Sequence, residues 1–134
     1  MDGNMEVVMV KYSVGIIPCG KILLDSDKGK VYRVTDSESV HIFDCCGDVV
    51  ISVDKVKRAT RDTFRCERSV EVCIQGNGYD VIVSEDGYIE RRKYFERIED
   101  VYNLMKKERC NEKSIKLFRV LLDKYNKGEI EIRR

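Results

Sequence analysis

The chain carries one imidazole, His41, and six thiols, Cys19, Cys45, Cys46, Cys66, Cys73 and Cys110. Nucleophilic catalysis by a Cys–His pair would need His41 beside Cys66 or Cys110, and no local signature accompanies either thiol. Zinc finds no CxxC, and the spacings of the six cysteines match no common zinc pattern. His41 stands four residues before Cys45 in a segment that reads as strand. There the two share a face but lie about 13 Å apart, too far for one ion. Asp25-Ser26-Asp27-Lys28-Gly29 begins like a calcium loop, with Asp36 at the twelfth place. Lys30 occupies the place that needs glycine, and the flanks are β-rich, so a turn explains it better. Gly76-Asn77-Gly78 opens no helix and so lacks the dipole that would hold phosphate. The acid pairs Glu85-Asp86 and Glu99-Asp100 are adjacent, which splays them apart on a strand or a helix. No catalytic residue, metal or cofactor is expected, and the chain reads as a non-enzyme.

Binding is a different matter, because charge is segregated. Residues 1–54, 55–68, 69–90 and 91–134 carry −4, +4, −5 and +6 within a chain of net charge +1. The second block places Lys55, Lys57, Arg58, Arg61, Arg65 and Arg68 around Phe64. Cations interleaved with an aromatic suit phosphate contact with base stacking. They equally suit a solvated edge strand protected from aggregation. In a helix over 112–126, Lys113, Lys116, Lys124 and Lys127 fall within one narrow stripe away from the apolar face, with Val120 at its centre. Such a stripe fits a nucleic-acid backbone or an acidic partner protein, or is simply a solvated face with lysines favouring the helix C-terminus. The leading expectation is a small binding protein that contacts nucleic acid through Lys55, Lys57, Arg58, Arg61, Phe64, Arg65, Lys113, Lys116, Lys124 and Lys127. The alternative is a protein-interaction module, a homodimer or a regulator or inhibitor of a partner protein, without nucleic-acid binding. Here the acidic block 69–90 and Val120 would make the contacts.

The elements that must position these residues follow from periodicity. Val- and Ile-rich runs cut by turn residues fill residues 5–90. One extended run covers 6–17, and strands over 21–25 and 30–35 flank the turn 26–29. A second hairpin joins 40–44 to 48–53, residues 55–60 extend the sheet as an edge, and a third hairpin joins 70–75 to 79–84. Tyr88 and Ile89 begin one more short strand. With no crossover helices, the sheet should be a largely antiparallel meander or a partly closed barrel. From residue 91, Tyr94, Ile98, Val101, Tyr102 and Met105 recur at spacings of three and four, predicting a helix over 91–109. A second helix over 112–126 starts at an Asn111 cap and stops at Gly128, making a helical hairpin. Residues 129–134 are a candidate short last strand. The expected fold is one α+β domain over 1–134.

Composition sets the remaining bounds. The 134 residues are 43% hydrophobic and 37% charged, enough for a core and too evenly charged for disorder. No apolar run approaches the ~18 residues of a membrane span, and residues 1–10 carry acids instead of a basic leader. A cytoplasmic protein with no membrane contact is expected, its thiols free in a reducing compartment. One Gln, five Asn and one Pro against abundant Lys, Arg and Glu lean towards a hyperthermophile, where disulfides also persist. Both thiol states therefore stay open.

Overall fold

A computed structural model describes residues 6–8, 15–16, 22–23, 29–45, 47–58, 64–85 and 88–130, with side chains over 29–45, 47–55, 67–85 and 91–130. The strands are β1 (Glu6–Val8), β2 (Gly15–Ile16), β3 (Ile22–Leu23), β4 (Gly29–Arg33), β5 (Glu38–Cys45), β6 (Asp48–Arg58), β7 (Phe64–Gln75), β8 (Gly78–Glu85) and β9 (Tyr88–Phe95). Helices α1 (Ile98–Lys107) and α2 (Glu112–Asn126) follow. Strands β4 to β9 form an antiparallel six-strand meander, and β1 lies along the β4 edge. Among the described residues, β2 pairs only with β3. The fold is α+β.

Two rows of β-branched side chains cross the sheet at right angles to the strands. The pairing register aligns Val40, Val53, Val70 and Val83 in one row and Ile42, Ile51, Val72 and Val81 in the next. All eight are at most 2% exposed. Alternation with period two puts them on one face, where they pack with Val101 and Met105 of α1 and Phe118, Leu121 and Leu122 of α2. Burying each such side chain contributes about 1.5–3 kcal/mol, so this face holds the two layers together. Tyr102 meets Phe118 edge-on, with centroids 6.0 Å apart, which locks the helices to each other. Asn111 caps α2 through its side chain, which accepts from the Lys113 N–H at 2.9 Å. Gly128 ends the helix at a φ of 73°, a conformation that favours glycine.

Several expectations need correction. The sheet runs in open order from β1 to β9, so no barrel closes. Among the described residues the strands expected to flank 26–29 do not pair with each other: β3 pairs with β2, and β4 lies between β1 and β5. Residues 55–58 are not a separate edge. They continue β6, an interior strand of the sheet, and pair with a β7 that begins at Phe64, not at residue 70. The helix expected from residue 91 begins at Ile98, since residues 91–95 pair in register with β8 as the end of β9. Backbone pairing along the β8 edge outweighed an amphipathic period that Tyr94 happened to continue. The last-strand candidate, 129–134, lies mostly outside the described residues. No helix among the described residues is long and apolar enough to cross a membrane.

Candidate nucleic-acid interface

The register of β6 and β7 makes the first basic segment a projecting ribbon. β5 pairs with β6 only as far as Glu38 opposite Lys55, and β8 pairs with β7 only from Ser69 opposite Ser84. Beyond those points, among the described residues, Val56, Lys57 and Arg58 pair with Cys66, Arg65 and Phe64 alone. A bulge between Lys55 and Val56 marks where the two-stranded ribbon leaves the sheet. Residues 55–58 and 64–68 thus form a two-stranded extension of β6 and β7. The side chains of Lys57, Arg58, Phe64 and Arg65, and all of Arg61, lie outside the described residues.

At its base the ribbon is bolted to the turn between the helices. Arg68 is 9% exposed and Glu38 6%, and their side chains pair at 3.0 Å. Arg68 also donates to the Glu108 carbonyl at 2.7 Å, and Glu38 accepts from the Asn111 N–H at 2.7 Å. A buried pair with its hydrogen bonds made holds its geometry tightly, so the end of α1 and the start of α2 sit against the ribbon base. Arg68 is therefore structural, not a free cation of the basic segment. Lys55 lies 3.7 Å from Glu67, a half-exposed pair.

The helical turn brings the second group of cations. Lys106, Lys107, Arg109, Lys113 and Lys116 are all exposed. Arg109 has a φ of 61°, the left-handed region that usually takes glycine, and it closes α1 as Cys110 N–H reaches the Met105 carbonyl at 3.0 Å. An arginine there costs about 1 kcal/mol against glycine. A recess of about 330 Å³ between ribbon and turn is lined by Lys55, Lys107 and Arg109 alongside Glu67, Glu85 and Glu108.

The lysine stripe of α2 is exposed along its length, with Val120 at 46% exposure. Its halves, however, differ. Lys113 and Lys116 lie in the first two turns, just after Asn111, whose N–H holds Glu38. Lys124 and Lys127 lie roughly 16–21 Å further along the axis from Lys113. Lys127 is also tied to Asp123 at 3.1 Å, and that hydrogen bond raises its pKa above the ordinary value. Arg119, on another side of α2, stacks its guanidinium 4.8 Å over the Tyr102 ring.

A polar cluster on the sheet face away from the helices was not foreseen. Asp54 is fully buried and accepts from Ser69 Oγ at 2.6 Å and Ser52 Oγ at 3.4 Å, with His41 Nε2 at 3.3 Å. Ser39 Oγ lies 2.9 Å from the same Nε2. These are the residue types of a Ser–His–Asp triad without its geometry. A relay needs the aspartate at the ring nitrogen opposite the serine, whereas here both meet Nε2. The cluster braces β5, β6 and β7 against one another. Its signal in the sequence was the small polar residue at alternate places in 50–54, which reads as a solvated face until the register is known.

The thiols that are described lie apart. Cys45 is exposed, Cys73 half-buried and Cys110 buried. Burial raises the Cys73 thiol and pushes Cys110 up to about 12, so neither has the lowered pKa of a reactive cysteine. Among the described residues no group of three or more His, Cys, Asp or Glu side chains is placed to hold a metal. Compared with known proteins, the chain matches no family model, no curated protein and no solved structure.

Proposed function

We propose that this is a non-enzymatic nucleic-acid-binding protein whose basic end, made of the 55–68 ribbon and the 106–116 helical turn, takes the phosphate backbone. One observation carries the reading: two basic segments far apart in sequence are pinned together through Glu38, Arg68, Glu108 and Asn111. Together they hold eleven bases and four acids, or +7, in a chain of net charge +1, which leaves −6 on everything else. A molecule so polarised steers anions to one end. A two-stranded ribbon is also a shape that enters a DNA major groove. The strained Arg109 adds weight, since strain kept at an exposed tip is a usual mark of function.

Lys113, Lys116, Lys107 and Arg109 form the helical side of the site; Lys124 and Lys127 are peripheral to it. The alternative, a protein interface around Val120, draws on an apolar side chain left 46% exposed amid the lysines. Fluorescence anisotropy with labelled single- and double-stranded DNA and RNA separates the two, because phosphate contact weakens steeply with salt and an apolar interface does not. Arg109→Gly is the sharpest variant. Relief of the left-handed strain should raise stability by about 0.5–1 kcal/mol while nucleic-acid binding weakens. Unchanged binding in that variant would remove Arg109 and the helical turn from the site.

A further inference from the structure

A second, larger opening adjoins the basic end, with Lys107 lining both. A groove of about 850 Å³ runs between β9 and α1, within the range of ligand-binding clefts. It is lined by every residue from Arg91 to Arg97. Five of these, Arg91 to Phe95, are successive strand residues that point to alternate faces, so together they line one groove only if it opens along the backbone edge of the strand. β9 is the last strand of the sheet, and its outer edge pairs with no strand among the described residues. Its N–H and C=O groups on that side are a template for one more strand.

The walls say what such a strand must be. The accessible apolar wall is Phe95 of β9 and Leu104 of α1, both half-buried, with the core residues Val81 and Val83 of β8 behind them. The rim is cationic: Arg91, Arg92, Lys93, Arg97 and Lys107 against Glu96 and Asp100. Arg91 holds Glu108, Arg92 holds Asp80 through Nε at 3.1 and 3.2 Å, and Arg97 holds Glu99 at 3.3 Å. The side chains of Arg91, Arg92 and Arg97 remain 49%, 65% and 73% exposed, so each keeps donors facing solvent. Lys93 lies 5.3 Å over the Phe95 ring, and neither it nor Lys107 pairs with a carboxylate among the described residues. A second copy of β9 would set Arg91, Arg92 and Lys93 against their own kind, which like-charge repulsion opposes.

We infer that this groove binds an extended acidic segment of a partner protein, added to β9 as an eighth strand. Its alternate apolar side chains meet Phe95 and Leu104 beside α1, and its carboxylates meet Lys93, Lys107 and the three arginines. Main-chain hydrogen bonds supply the affinity and the charges the selectivity, as in other strand-addition complexes. The inference does not rest on the basic-end reading, although Lys107 borders both sites, and the peptide and oligonucleotide assays let either fail alone.

The test uses the full chain and a fluorescein-labelled nonapeptide alternating valine with aspartate or glutamate. Two control peptides carry lysine in place of every acid, or N-methyl groups on every peptide nitrogen. The acidic peptide should bind, both controls should bind at least about tenfold more weakly, and amide exchange of residues 91–95 should slow in the complex. Lys93→Glu with Lys107→Glu, at unchanged far-UV circular dichroism, should weaken the acidic peptide by about tenfold or more. Equal binding of the N-methylated peptide would refute strand addition, and equal binding of the lysine peptide would refute the charge argument. Two other results would replace the proposed occupant: slowing of the 91–95 amides by a single-stranded oligonucleotide and not by the peptide, or self-association that Lys93→Glu abolishes.

Discussion

Replacing Arg68 by methionine is expected to be among the most damaging single changes in the molecule, although the sequence places this residue in a basic run. The side chains of Arg68 and Glu38 are 11% and 6% exposed. Removing the guanidinium strands a buried carboxylate whose remaining partner is the Asn111 N–H. Loss of one member of such a pair costs about 3–5 kcal/mol, against a total stability on the order of 5–15 kcal/mol for a domain of this kind. Replacing Glu38 alone should cost a similar amount. The double replacement leaves no buried charge. It leaves the Glu108 carbonyl and Asn111 N–H without these partners, at about 1–3 kcal/mol each, so it should cost well under the sum of the singles. Urea unfolding followed by circular dichroism measures all three. With a slope of about 1–3 kcal/mol per molar, Arg68→Met should lower the midpoint by roughly 2 M. A cost below about 1 kcal/mol, or strict additivity of the two replacements, would show that the pair does not hold the ribbon to the helical turn.

Two further outcomes follow from burial. Cys110 keeps its proton in the folded chain up to about 12, while an ordinary thiol gives it up near 9.0. The native state therefore binds more protons between those values, and stability should fall as pH rises through that window. Urea titrations at pH 8, 10 and 11 should show the fall, and Cys110→Ala should flatten it; an identical fall in the variant would assign it to other groups. Phe118 is fully buried where the helices meet the sheet, and Phe118→Ala should cost about 3–5 kcal/mol in the same urea assay. A cost under about 1 kcal/mol would mean that the two layers are not packed as described.

The sequence was most legible where one local rule decided the outcome. Alternating Val and Ile in 40–53 and 70–83 specified the two buried rows, because a half-buried strand leaves no other pattern. Asn111 and Gly128 bounded α2 since each meets a local backbone need. Legibility failed where pairing between distant segments decided. Nothing local in 64–69 marks a strand, and only the register opposite 55–58 makes it one. Residues 91–95 satisfy a helical period, yet the β8 edge was available to pair with them. Arg68 resembles its exposed neighbours, and its burial depends on Glu38 and Glu108, 30 and 40 residues away. The basic end itself was legible as two charge runs, but their convergence was not.

That convergence is best tested by the salt dependence of oligonucleotide binding in matched charge reversals. Each cation withdrawn from a phosphate reduces the slope of log K against log salt by about 0.7–0.9. Lys113→Glu with Lys116→Glu should weaken binding and reduce the slope by roughly twice that amount. Lys124→Glu with Lys127→Glu, the same charge change at the far end of the same helix, should do much less. Equal losses of affinity from the two pairs would mean that net charge alone governs binding. No binding by the unaltered chain at low salt would contradict the nucleic-acid reading outright.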